Sequence, residues 1–126
     1  MSIASIEQLA DRVNADTMLV WRGRYLSTRF LLEVGDTQWL VGIHEGRVVS
    51  IARGPFVMPS WSFALRAPES EWRAFWSADP RPGFHDLMAL IKRRALKAEG
   101  DLRVFMSHLR YFKEVMVKLR AQEARP

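Results

Sequence analysis

The feature that most constrains the fold of this chain is the segment of residues 82–119, where two helical patterns with apolar faces enclose one very short strand pattern. In the first helical pattern the apolar face holds Phe84, Leu87, Met88 and Ile91. Residues 96–99 then predict a strand, and Asp101 is suited to cap a final helix after the sharp corner that Gly100 permits. So much apolar helix over a small sheet indicates a chamber for an apolar molecule.

The final helix is predicted to run unbroken to residue 119, with about half of its circumference apolar. That half holds Leu102, Val104, Phe105, Leu109, Tyr111, Phe112, Val115, Met116 and Leu119. Met106 and Val117 fall on the polar half, so either a second copy of the chain or a membrane covers part of that face, or these are ordinary scattered surface residues. His108 falls within the apolar half. There it would either hydrogen-bond a lipid carboxylate or hydroxyl, or be a core histidine satisfied by a backbone carbonyl.

Upstream, the apolar pattern changes to a period of two, which is typical of half-buried strands. It predicts strands over residues 25–34, 38–44 and 47–53. Tight turns at Gly35-Asp36 and Glu45-Gly46 would join these strands into a meander. A link punctuated by prolines follows, and residues 61–66 predict a fourth strand.

Further helices are predicted on both sides of these strands. Ser5 and Gln8 have the form of a capping box, which predicts an opening helix over residues 5–15. Residues 16–23 fit either an extension of that helix or a short extended run. Pro68 suits the first turn of another helix, whose apolar stripe consists of Trp72, Phe75 and Trp76.

Composition narrows the class of protein. A chain of 126 residues that is 48% hydrophobic and 26% charged is expected to form one globular domain over residues 1–126. The absence of cysteine excludes disulfides, thiolate metal sites and a cysteine nucleophile. The sequence shows no basic leader and no run of about 18 apolar residues, so a cytoplasmic protein is expected.

The net charge of +5 is unevenly distributed. Residues 1–91 carry nine Lys and Arg against ten Asp and Glu, whereas residues 92–126 carry ten against four. The basic end is either a solvated helix face or a surface attracted to an anionic membrane. On the second interpretation, the membrane-docking residues are Lys92, Arg93, Arg94, Lys113 and Lys118.

Three segments, taken together, resemble the sterol carrier protein 2-like (SCP2-like) family: GRVVSIARGPFVMPSWSF at 46–63, PGFHDLMAL at 82–90 and KAEGDL at 97–102. The resemblance covers about residues 23–119. It implies an α+β sandwich in which a five-stranded, mostly antiparallel, twisted sheet has helices packed on one face around an apolar tunnel. It also implies binding or carriage of a lipid, such as a fatty acyl chain, a sterol-like molecule or an isoprenoid. The chain ends without a Ser-Lys-Leu-type address, which favours a free-standing bacterial type of protein.

Combining this resemblance with the apolar faces gives a predicted ligand lining. It consists of Phe30, Leu32, Trp39, Val41, Phe63, Met88, Ile91, Phe105, Leu109, Phe112 and Met116, with His108 as a polar anchor. Methionines such as Met58, Met88, Met106 and Met116 would either adapt such a pocket to ligands of different shape or merely fill gaps in a core. The alternative function is a dry-cored interaction or dimerisation module, which would use the Trp-rich residues 61–76 to recruit a partner enzyme.

Catalysis and nucleic-acid binding are not predicted. The sequence contains no Gly-x-Ser-x-Gly elbow, no His-Glu-x-x-His motif and no phosphate-binding glycine loop, so neither a catalytic residue nor a metal ligand nor a cofactor is assigned. A nucleic-acid platform would interleave aromatic and basic residues on one exposed face. Here the sheet aromatics alternate with polar residues and the basic excess lies in later helices.

Overall fold

Five strands form one mixed sheet in the computed structural model, which describes residues 6–57, 59–77, 80, 82, 84 and 86–120. The strands are β1 (Thr28–Val34), β2 (Thr37–His44), β3 (Arg47–Arg53), β4 (Phe63–Ala67) and β5 (Lys97–Gly100). Their spatial order is β3-β2-β1-β4-β5. Strands β1 and β4 run parallel, and the other neighbouring pairs are antiparallel.

Short helices surround this sheet. They are α1 (Leu9–Ala15), α2 (Thr17–Arg22), α3 (Glu69–Phe75), α4 (Leu87–Lys92), α5 (Leu102–Ser107) and α6 (Leu109–Val117). A 3-10 turn at Ile6–Gln8 precedes α1. Phe112 of α6 packs edge-on against Phe30 of β1, which places α6 on the face of the sheet that Phe30 occupies. That face is called the core face below.

The two-residue period of the strands separates the two faces of the sheet. On β1, Phe30, Leu32 and Val34 are buried on the core face, and Arg29 and Glu33 lie on the opposite face. That opposite face is called the outer face below. It too has a buried part, since Leu31 and Ala64 are 1% and 0% exposed.

The chain crosses the outer face between β3 and β4. This crossover begins where the Gly54 amide donates to the Gln38 carbonyl, and it ends where the Ser62 amide donates to the Arg29 carbonyl, both at 2.7 Å. The Gly54–Pro55 peptide bond is cis. Near the end of the crossover, the Trp61 ring lies 5.8 Å from the guanidinium carbon of Arg66. The crossover therefore brings the chain from β3 at one edge to β4 beside β1.

The β2–β3 turn is locked to two helices. Glu45 and Gly46 both have positive φ, 50° and 83°, as a two-residue hairpin turn requires. A Cβ atom on Gly46 would lie 2.4 Å from the Val20 carbonyl oxygen, so only glycine allows α2 to approach this closely. The Tyr111 hydroxyl of α6 donates to the Gly46 carbonyl at 2.6 Å, and burial raises the pKa of this phenol.

Polar contacts tie the opening helices to both the sheet edge and the end of the chain. The side-chain amide of Asn14 pairs with both the N–H and the C=O of Val48 at 2.9 Å, which satisfies backbone groups on edge strand β3. Arg12 donates to the Lys118 carbonyl at 2.9 Å. Asp16 accepts from the Leu19 amide at 3.1 Å and from the Lys118 ammonium at 2.6 Å. Asp16 thus caps α2 and also connects it to the residue after α6.

Most of the predicted elements are confirmed. The α+β class, the five-stranded mostly antiparallel sheet and the strand at Arg47–Arg53 are all present. Residues 16–23, left open above, contain helix α2. The first strand begins at Thr28 rather than at residue 25, and Tyr25 is 83% exposed. Ser5 of the predicted capping box lies outside the described residues.

The prediction of one continuous final helix is wrong. The helix breaks at His108, whose backbone angles of −122° and 32° leave the α-helical region, and α5 and α6 are separate. The apolar half predicted for a single continuous helix therefore does not match the buried residues of α5. Leu102, assigned to its apolar half, is 39% exposed. The predicted cap is confirmed, since Asp101 accepts from the Arg103 amide at 3.1 Å.

Asp16 offers a test of these polar ties. Its hydrogen bond to Lys118 lowers the pKa of its carboxyl below the ordinary 3.8. The stabilisation is therefore complete above that ordinary value and is lost as pH falls through the lower folded-state pKa. We expect Asp16→Ala to lower the free energy of unfolding at neutral pH by about 1–2 kcal/mol, and Asp16→Asn, which keeps a capping oxygen, by less.

Urea unfolding measures these values. The gap between wild type and Asp16→Asn should shrink between about pH 5 and about pH 2. Exposed Asp11 provides the control, and Asp11→Asn should change stability by no more than about 0.5 kcal/mol. A gap that persists unchanged at the lowest pH would contradict the ion pair.

Candidate functional site

Four phenylalanines form the centre of the core. The rings of Phe30 on β1 and Phe63 on β4 stack with their centroids 5.2 Å apart and their planes 2° from parallel. Phe112 of α6 meets both rings edge-on, at 5.7 and 4.9 Å. Phe105 of α5 lies 5.3 Å from Phe63 and 5.8 Å from Phe112. These are the spacings at which aromatic pairs attract one another, and the four residues are called the Phe cluster below.

The predicted ligand lining divides into two groups. The larger group is buried beneath the helices. Six of its members have no exposed surface at all: Phe30, Leu32, Val41, Phe63, Phe112 and Met116. Phe105 and Trp39 are 1% and 9% exposed. At the six closed positions these side chains pack against protein rather than water-filled space, so a ligand that reached them would have to displace neighbouring side chains.

The smaller group lies at the rim of the core. Three apolar residues, Met88 and Ile91 of α4 and Leu109 of α6, are half-buried. They pack against the buried residues of the hydrophobic core. His108, also half-buried, stands at the break before α6 and makes no hydrogen bond with its side chain among the described residues. These positions carry apolar surface within reach of solvent, which a ligand would meet first.

The apolar face predicted for this segment is confirmed at Phe84 and Leu87, which are buried, and differs at Met88 and Ile91, which are only partly buried. The helix buries Leu87 and Leu90, while Met88 and Ile91 remain half-exposed. Leu90 was not among the predicted lining residues, and neither was Leu65 of β4, which is also fully buried. The period-two pattern that placed Phe63 on the core face also places Leu65 there, so the sequence contains the signal for including Leu65 in the lining.

Helix α5 has fewer fully buried residues than α4 or α6, although Val104 also packs partly against the core. Phe105 is its single buried residue, and Leu102 and Met106 are exposed. The helix lies between Gly100, whose φ of 97° lies in the left-handed region, and the break at His108. Both ends therefore depart from regular helix or strand geometry.

Two of the three tryptophans of the Trp-rich segment are not exposed anchors. Trp72 and Trp76 are 0% and 3% exposed, and their rings stack 4.9 Å apart. Their indole N–H groups donate to the Glu33 and Met116 carbonyls, each at 2.8 Å. These residues hold α3 against β1 and α6, so they are not available as the anchors that the interaction-module alternative requires.

The described interior is apolar. No buried side-chain nitrogen or oxygen in the described ranges lacks a hydrogen-bond partner. Within those ranges no three His, Asp or Glu side chains are grouped to hold a metal ion, and no helix has the length and apolar character needed to cross a bilayer. Binding at this site would therefore depend on shape and on removal of apolar surface from water.

Acidic neighbours neutralise three of the five predicted membrane-docking residues. Arg93 lies 3.3 Å from Glu71, Lys113 lies 3.2 Å from Asp86, and Lys118 pairs with Asp16. Lys92 and Arg94 are exposed and make no ion pair among the described residues. The basic end of the chain thus presents fewer free charges than its composition indicates.

An exposed aromatic surface on and after α2 was not predicted. Met18 and Trp21 are 60% and 56% exposed, and Tyr25 is more exposed still. The Arg24 guanidinium carbon lies 3.7 Å from the Trp21 ring centroid and 4.6 Å from that of Tyr25. Met18 and Trp21 are three residues apart, so a helix over residues 16–23 places them on the same side. The sequence left the structure of those residues open and therefore did not predict this surface. These four residues are called the α2 patch below.

Solved structures with this arrangement of sheet and helices include sterol carrier proteins. Sterol carrier protein 2 superposes with a TM-score of 0.74 at 11% identity, over 93% of this chain and 94% of that one. A conserved hypothetical protein from Thermus thermophilus, described as possibly a sterol carrier protein, gives 0.69 at 10% identity, over 98% and 94%. The chain has an SCP2-like fold. No protein-family model and no curated protein matches the sequence.

The SCP2-like fold also occurs as part of a larger enzyme. A stereoselective inverting sec-alkylsulfatase from Pseudomonas sp. gives a TM-score of 0.54 at 14% identity, over 94% of this chain but 16% of the sulfatase. At sequence identities of 10–14% these similarities establish the fold of the chain and not its activity.

The Phe cluster makes a direct stability prediction. Phe112→Ala should lower the free energy of unfolding by about 3–5 kcal/mol, because it removes the ring that contacts the other three and leaves a cavity. Met106→Ala, at a residue 50% exposed on neighbouring α5, should change it by no more than about 0.5 kcal/mol. Chemical denaturation of both variants provides the measurement, and equal losses would contradict the packing described.

Proposed function

We propose that this protein binds and carries a lipid or another long apolar molecule, without catalysing a reaction on it. The ligand would lie between the core face of the sheet and α4–α6, along the predicted lining residues. The observation that carries the proposal is an apolar interior covered in part by helix α5, which fully buries a single residue, within an SCP2-like fold. Fatty acyl, sterol-like and isoprenoid molecules are the candidate ligands.

Entry would require α5 to move away from the Phe cluster. Exposing one phenylalanine side chain costs about 1.5–3 kcal/mol, whereas each ligand methylene removed from water contributes about 0.8 kcal/mol. A ligand that buries about four methylenes therefore offsets the withdrawal of Phe105. Long chains gain most, and short polar metabolites gain too little to open the core.

Native mass spectrometry of protein purified without denaturation tests carriage directly. We expect co-purifying masses in the range of lipids, together with displacement of a fluorescent fatty acid by the preferred class. Leu109→Lys should weaken that binding by at least about tenfold, because the ammonium at the rim must be desolvated when the ligand enters.

Met106→Lys provides the matched control, since Met106 is exposed on α5 and outside the predicted lining. It should bind ligand as wild type does, and thermal melting should show both lysine variants folded. An empty protein that fails to bind acyl, sterol and isoprenoid probes at micromolar concentration would refute carriage.

We further propose that loading takes place at an anionic bilayer through the α2 patch. Tryptophan and tyrosine favour the boundary between headgroups and acyl chains, and Arg24 between the two rings adds positive charge there. Exposed Lys92 and Arg94 would add longer-range attraction, about 1 kcal/mol for each residue near the surface.

Flotation with phosphatidylglycerol vesicles, compared with phosphatidylcholine vesicles, tests this loading step. Trp21→Ala should reduce the bound fraction severalfold, and Lys92→Gln by about fivefold at low salt. Lys113→Gln removes the same formal charge at a residue already paired with Asp86 and should have a smaller effect. Binding indifferent to salt, to anionic lipid and to Trp21→Ala would exclude the proposed docking while leaving carriage intact.

A further inference from the structure

The outer face of the sheet carries a polar groove of about 390 Å³. It lies where the end of the crossover runs along the first residues of β1. Hydroxyl groups of Thr28, Ser50, Ser60 and Ser62 line it, together with Arg29 and Trp61. Its volume falls within the range of small-molecule sites in proteins. The groove and the Phe cluster lie on opposite faces of the same strands.

A glycine in β2 allows a serine hydroxyl to lie at the base of this groove. In the sheet register Arg29 of β1 pairs with Gly42 of β2, and Gly42 pairs with Ser50 of β3. A Cβ atom at Gly42 would lie 2.3 Å from the Ser50 hydroxyl, so glycine makes room for the Ser50 side chain to lie over the backbone of β2. The register also shifts by a bulge directly after Gly42. The glycine and the bulge therefore place the Ser50 hydroxyl beside Arg29 on the outer face.

The groove also holds an unneutralised cation. Arg29 is exposed and donates to the Ser60 carbonyl at 3.4 Å, and it makes no ion pair within the described part of the chain. Arg66 on the same face differs, because Glu33 and Glu99 lie 2.6 and 2.5 Å from its guanidinium nitrogens. Among the described residues no carboxylate lines the groove.

We propose that this groove binds the phosphate group of a small ligand. Arg29 presents two parallel N–H donors that match two phosphate oxygens. The Ser50 and Ser60 hydroxyls make no hydrogen bond with described residues, so each can donate to a remaining oxygen. The groove is larger than a phosphate group, and half-buried Trp61 at its border can contact the organic part of the ligand.

The phosphate could come from a phospholipid headgroup or from a free phosphorylated metabolite. Both sources offer the same oxyanion to Arg29, so the experiment separates them. The proposal does not rest on lipid carriage, because ligand binding in the core uses the other face of the sheet. Failure of one proposal would leave the other unaffected.

A nuclear magnetic resonance titration that follows the Trp61 indole N–H, assigned with Trp61→Phe, provides the test. The probes are glycerol 3-phosphate, glycerol without phosphate, and dihexanoyl phosphatidic acid below its micelle concentration. We expect the Trp61 signal to shift with at least one phosphorylated probe and not with glycerol. Tighter binding of phosphatidic acid assigns the headgroup as the source, and equal or tighter binding of glycerol 3-phosphate assigns the free metabolite.

Arg29→Gln should raise the dissociation constant of the phosphorylated probe by at least about tenfold, and Arg29→Lys by less, because lysine keeps the charge but not the paired donors. The matched control is Arg103→Gln, at an exposed arginine on α5 that makes no ion pair among the described residues; it should bind as wild type does. Absence of any Trp61 shift, or equal losses in Arg29→Gln and Arg103→Gln, would overturn the proposal. So would phosphatidic acid binding that survives Arg29→Gln and is lost in Leu109→Lys.

Discussion

The parallel pairing of β1 with β4 is the constraint on which the rest of the structure depends. It aligns Phe30 with Phe63 in register and brings their rings into a stack. Parallel neighbours cannot be joined by a tight turn, so the chain leaving β3 must travel across the sheet before β4 can begin. That crossover occupies the outer face. The core face is consequently left for the helices, and the Phe30–Phe63 stack is what they cover.

The covering elements contribute unequally, and this inequality links packing to function. Helix α6 is held by Phe112 against two rings and by the Tyr111 hydrogen bond to Gly46. Helix α5 fully buries Phe105 alone, with Val104 partly buried beside it. Local opening follows the regions with the fewest buried apolar contacts. Of these two helices over the same apolar surface, α5 is therefore the one whose local opening would expose fewer buried side chains.

The sequence predicted what local periodicity controls. The alternation of apolar and polar residues predicted the strands, and the turn residues Glu45-Gly46 predicted a hairpin. Each of these signals is contained within a few consecutive residues. The β1–β4 pairing joins strands that are distant in the chain, and no local signal specifies a neighbour at that range. The break at His108 was missed for a similar reason. No glycine or proline marks it, yet Phe105 must reach Phe63 while Tyr111 reaches the β2–β3 turn, and the helix bends between them.

Adjacent residues of β1 serve the two faces of the sheet, so two candidate sites share one strand. Phe30 belongs to the Phe cluster, and Arg29, one residue earlier, borders the polar groove. Elsewhere on the outer face the sheet neutralises its charge, as Glu33 and Glu99 do for Arg66. Arg29 instead pairs in register with Gly42, over which the Ser50 hydroxyl lies, and it has no carboxylate partner among the described residues. The crossover that makes the parallel pair possible also supplies Ser60 and Trp61 as the wall of the groove, so one topological requirement produces both the closed core and the open polar site.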